Sequence, residues 1–165
     1  MPTVRLSFSP AAAHVRTARL VGVAVARRAG VAEELLEEVR LAIGEACSRA
    51  VALHRSHGIV DLVDVAMADG DRFTVRVVDR AANGATVTKS GEDAEVFLSD
   101  PALPLTAGPD VLAEEEVAAK MGLALLAGLV DDLEVSDLAD GIGTEVRMSW
   151  PLTGATTAKG AAKEG

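Results

Sequence analysis

Val4-Arg5-Leu6-Ser7-Phe8 alternates apolar and polar side chains, the period of a strand with one face buried. Ser9-Pro10 follows as an N-cap and a first helical residue, predicting a helix to about Arg28 with Gly30 as its stop. From about Ala32 to His54, Leu35, Leu36, Val39, Ala42, Ile43, Ala46, Cys47 and Ala50 recur at three and four residues. That spacing predicts a second helix with one continuous buried face. Alternation returns over Ile59 to Met67, turns at Ala68-Asp69-Gly70-Asp71, and runs back over Arg72 to Val78 as a hairpin.

Periodicity fades from Arg80 to about Glu116, a stretch rich in Ala, Gly, Ser, Asp and Pro, which reads as one long loop. A third helix is expected over Val117 to Leu129. A last hairpin follows, Leu133-Glu134-Val135 and Thr144 to Trp150, around Ala139-Asp140-Gly141-Ile142-Gly143. Thr153 to Gly165 reads as a disordered tail. The order β-α-α-β-β-loop-α-β-β predicts an α+β fold, a two-layer sandwich with a mixed, largely antiparallel sheet and helices on one face. One domain over residues 1–152 is expected, with a lid-like loop region at 80–120 and the tail at 153–165.

Composition narrows the function. The chain of 165 residues is 49% apolar and 25% charged, an ordinary globular balance, with only 2% aromatic side chains. Val, Leu, Ile and Ala must therefore build the core. A formal net charge of −9 repels a phosphate backbone, which excludes nucleic acid as the expected partner and favours a protein with basic patches. Cys47 is the only cysteine, so no disulfide framework exists and a reducing compartment is expected. The N-terminus lacks a signal-peptide core, and no apolar run approaches a bilayer span, so the expectation is a cytoplasmic protein away from membranes.

Four features carry candidate chemistry, each with a plainer alternative. Glu45 and Arg49 stand one helical turn apart and read as a possible ion pair on a solvated face. Asp79 closes a strand, where it either starts a turn or accepts hydrogen bonds from a purine amine. Lys120-Met121-Gly122-Leu123 reads as a helix start at which a phosphate meets free N–H groups. Gly141-Ile142-Gly143-Thr144 is a hairpin turn opening the last strand.

Taken in order, Leu41 to Cys47, Val75 to Arg80, Gly122 to Leu126 and Gly143 to Met148 resemble the GHKL ATPases, over about residues 3 to 150. Within that group the chain is most similar to the bacterial anti-sigma-factor serine/threonine kinases. The resemblance implies ATP or ADP as cofactor, with Glu45 as the catalytic base toward a serine of a partner protein. It implies Asp79 as the adenine-recognising residue, Gly122 and Leu123 at the phosphate-binding turn, and Thr144 near the base. It also implies a sigma factor and a STAS-type anti-anti-sigma protein as partners, and a homodimer.

The chain departs from that pattern in one pocket. Arg49 stands where the family holds Mg²⁺ with an asparagine, and a guanidinium has only donors and a permanent positive charge. Ala81 and Asn83 replace two glycines after Asp79, with Gly84 able to restore the turn one residue later. Lys120 replaces a further glycine. The expectation is an anti-sigma-like binding module with weakened or absent kinase activity. An active kinase and an accessory domain that shares only the fold stand as the alternatives. Arg16, Arg19, Arg27 and Arg28 form either a partner-facing or a merely solvated helix face.

Overall fold

The computed structural model describes residues 2–81, 85–90, 93–98 and 111–154. Strand β1 (Thr3–Phe8) leads into α1 (Ala12–Ala29), α2 (Glu33–Ser56), β2 (Val63–Asp69) and β3 (Arg72–Asp79). Then come β4 (Ala85–Ser90), β5 (Asp93–Leu98), α3 (Val111–Leu129), β6 (Asp132–Asp137) and β7 (Thr144–Pro151). The strands form one sheet in the order β1-β2-β3-β7-β6-β4-β5, and every neighbouring pair is antiparallel. The fold is α+β, as expected, although no parallel pair occurs among the described residues.

Period-two alternation sets the two faces of the sheet. Val63, Val65 and Met67 of β2, Phe73, Val75 and Val77 of β3, Val146, Met148 and Trp150 of β7, and Leu133 and Val135 of β6 all point to the helical layer. Val39, Ile43, Ala46 and Ala50 of α2 and Leu126 of α3 meet them in the same core. With so few aromatics, Phe73 and Trp150 supply its bulk, packed against each other at a ring separation of 6.0 Å.

Several boundaries differ from expectation. The first helix starts at Ala12 after an Ala11 N-cap without a side-chain bond, so Ser9 and Pro10 precede it rather than open it. Its end is as read. Gly30 sits at φ 99°, while Val31 N–H donates to Ala26 O and Gly30 N–H to Arg27 O, the paired bonds of a Schellman cap. Residues 59–62 lie before β2. The region read as a lid-like loop instead carries β4, β5 and the first turns of α3. Thr153, placed in the tail by its composition, donates from N–H and Oγ1 to Gly30 O.

Candidate functional site

The parity of β3 continues past its apolar positions. Phe73, Val75 and Val77 face the helices, and so does Asp79, which is 1% exposed. Thr144 lies directly opposite Asp79 on β7 and is fully buried. The turn before Thr144 is held by Gly143, at φ 119°, where a Cβ would collide with the Asp79 carbonyl oxygen. Only glycine satisfies both demands, so the β6–β7 turn can lie flat on the end of β3.

From the helical layer, α2 brings Arg49. The sequence reading placed it on a solvated face paired with Glu45. The structure corrects this: Arg49 is 3% exposed, and its Nη1 donates to Asp79 Oδ2 at 3.0 Å. Arg49 stands three residues after Ala46 and four before Leu53, on the apolar stripe of α2, so the helical period does point it inward. Asp79 Oδ1 accepts the Ala81 N–H at 2.9 Å. Burial pushes the Asp79 carboxyl above the usual carboxylate range, and the neighbouring Arg49 charge and Ala81 N–H offset this only in part. Burial likewise draws the Arg49 guanidinium below its ordinary value against the pull of Asp79. Arg49 Nε is buried without a partner among the described residues.

Of the other predicted site residues, the structure brings Gly122 next to Arg49 and Glu45. Gly122 lies inside α3, not at its start, so its N–H belongs to the helix and offers phosphate no terminus. It is a contact glycine: a Cβ there would stand 3.8 Å from Arg49 Cβ and 3.9 Å from Glu45 Oε2. Leu123 is a core residue. Glu45 is half-buried one turn before Arg49. Ala81 is fully buried and packs with Leu53 and Ala119. Asn83 and Gly84 lie outside the described residues, and of Lys120 only the helical backbone is described. Cys47 of α2 is buried in the core, its thiol pushed up to about 12 by burial, which keeps it protonated at neutral pH.

His54, which the sequence reading did not single out, ties down the end of β3. Arg80 N–H donates to His54 Nε2 at 2.8 Å, so the ring proton sits on Nδ1, 3.0 Å from the Asp61 carbonyl oxygen. Its signal was a histidine four residues beyond Ala50 on the same buried stripe.

Three helices on one face of an antiparallel sheet, with a strand-end aspartate beneath the second helix, define a GHKL-type ATPase fold. The model of the histidine kinase-like ATPase domain matches residues 8–150, and the chain belongs to that family. A comparison with curated protein sequences finds no match.

Membership of that family points to nucleotide binding, and two of the residues that the resemblance assigns to the nucleotide and its metal, Asp79 and Arg49, engage each other instead. A base recognised by Asp79 needs access to its carboxylate, which is closed in and engaged by Arg49 and Ala81. Mg²⁺ needs oxygen ligands where a guanidinium stands.

Proposed function

We propose that this chain is an anti-sigma-type regulator that works by binding proteins, with its nucleotide pocket converted into an internal ion pair. Its partners on this reading are a sigma factor, drawn to the −9 surface by its basic DNA-facing side, and a competing STAS-type protein. The protein acts as a homodimer. The Arg49–Asp79 pair carries the reading: it ties α2 to β3 from within, at the point where the resemblance places a nucleotide. The binding-competent shape then needs neither ATP nor Mg²⁺, and Glu45 has no phosphoryl group to direct. The alternative, a serine/threonine kinase acting on the STAS protein, requires Arg49 to leave Asp79.

Calorimetric titration with ATP and ADP, with and without Mg²⁺, separates the two. The expected outcome is no saturable heat with the native chain and measurable ATP binding with Arg49→Asn. Native binding that tightens with Mg²⁺ would overturn the proposal and return the kinase reading. The partner assignment is checked by co-expression with sigma factors and STAS proteins: one sigma factor should co-purify without nucleotide and be displaced by one STAS protein.

A further inference from the structure

The outer face of the helical layer, turned away from the sheet, carries an apolar belt that neither the core nor the nucleotide pocket explains. Gly22 of α1 abuts Ile43, and Arg19 abuts Gly44, so α1 runs antiparallel to α2 and close to it. Gly122 of α3 abuts Glu45 and Arg49, and Ala119 packs with Leu53, so α3 runs antiparallel to α2 on its other side. These contacts bring Leu20, Leu41 and Leu125 to one level on three adjacent helices. All three are exposed, as are Val117 and Met121, two turns and one turn before Leu125 on the same stripe of α3. From Met121 to Leu129 that helix has no polar side chain, and its exposed positions there are Met121, Ala124, Leu125 and Gly128.

A helix that is apolar on every side belongs inside an assembly, not at its surface. Leu20, Leu41, Val117, Met121 and Leu125 are 45% to 65% exposed, which leaves about 500 Å² of apolar surface in water. A dimer interface of standard size takes about 800 Å² from each copy, roughly 60% of it apolar, or about 480 Å². The belt supplies that share by itself.

We propose that a second copy of this chain covers the belt, related to the first by a two-fold axis lying along α2. The proposal rests on the homodimer of the reading above and names its interface. Such an axis keeps the level of each residue and exchanges the flanks, so α1 of one copy lies on α3 of the other. Leu20 then meets Leu125 of the partner subunit, and the two copies of Leu41 meet on the axis. Ala124 and Gly128 flank Leu125 with small groups, and a Cβ at Gly128 would touch nothing, which leaves room for α1 to come close. Charge selects this axis over one running across the helices. Helix α1 holds four arginines and no acidic residue, whereas Glu114-Glu115-Glu116 stand in the first two turns of α3. Arg16, which forms no ion pair among the described residues, lies toward the same end of the layer as those glutamates. The axis along α2 sets it beside the partner's acidic helix start. An axis across the helices would instead set α1 on α1, arginines against arginines. Repulsion between two copies of charge −9 acts at long range and is screened beyond about 10 Å at 0.1 M salt.

The test is sedimentation equilibrium of the full chain, native and variant, from about 1 to about 100 μM. The native chain should be dimeric. Leu41→Glu, which sets like charges together on the axis, should raise the dissociation constant at least about 100-fold. Leu20→Lys and Leu125→Glu should each be monomeric alone. An equimolar mixture of those two variants should restore the dimer, because the new opposite charges face each other in one contact while the other keeps both leucines. These side chains are exposed in the single chain, so each variant should retain the native far-ultraviolet circular dichroism. A native dimer that survives Leu41→Glu, or a mixture that stays monomeric, overturns this interface and leaves the homodimer standing. A native chain that stays monomeric at the highest concentration overturns both.

Discussion

Arg49 and Asp79 meet at 3.0 Å with side chains 2% and 1% exposed, so both charges have lost nearly all their water. Burial moves both groups toward their neutral forms, against the attraction between them. Such a pair is weak evidence for stability but strong evidence for coupling, because removing one member strands the other. Arg49→Met or Asp79→Leu alone should each cost about 3–5 kcal/mol, while Arg49→Met/Asp79→Leu should come within about 2 kcal/mol of the native chain. Urea unfolding of the three variants measures this. Additive losses would show that the two side chains act separately, which would also undercut the account of a pocket closed from within.

Helix contacts put a second demand on the chain, at Gly22 and Gly44. A Cβ at Gly22 would collide with Ile43 Cδ1, a fully buried side chain of α2, whereas one at Gly44 would meet the guanidinium of Arg19. Ile43 is fully buried, whereas Arg19 is a long, partly exposed side chain whose end can rotate away. Gly22→Ala should therefore destabilise by roughly 1–3 kcal/mol, less any helix-propensity gain. Gly44→Ala should be neutral or stabilising by up to about 1 kcal/mol, read in the same unfolding assay. The contrast also explains what was legible in the sequence. Long periodic elements, α2 above all, and the alternation of β2, β3 and β7 showed in the pattern because each has one face in the core. Strands β4 and β5 did not, since six-residue strands at the far end of the sheet carry little apolar repetition. Arg49 and Asp79 were visible as departures from a motif, but their bond was not: they stand 30 residues apart, and a charge on a helix is usually solvated.

At the scale of the whole molecule, the last strand in the sequence occupies the middle of the sheet. Strand β7 lies between β3 and β6, pairs with both, and sends Val146, Met148 and Trp150 into the core. Its end is tied to the first two helices: Trp150 Nε1 donates to Glu38 Oε1 at 2.7 Å, Leu152 bridges Val31, and Thr153 caps Gly30. Without β7, β3 and β6 become two bare edges and the core opens between them, so no half of the molecule retains a closed layer. Asp79 would also lose Thr144 and the Gly143 turn from its surroundings. A chain ending at Gly143 should therefore show no cooperative thermal transition by far-ultraviolet circular dichroism, where the full chain shows one. Adding a peptide of residues 144–154 should restore part of that transition. A truncated chain that melts cooperatively near the native midpoint would mean that the helices and the β1-β2-β3 sheet fold as an independent unit. The ion pair would then form before β7 docks.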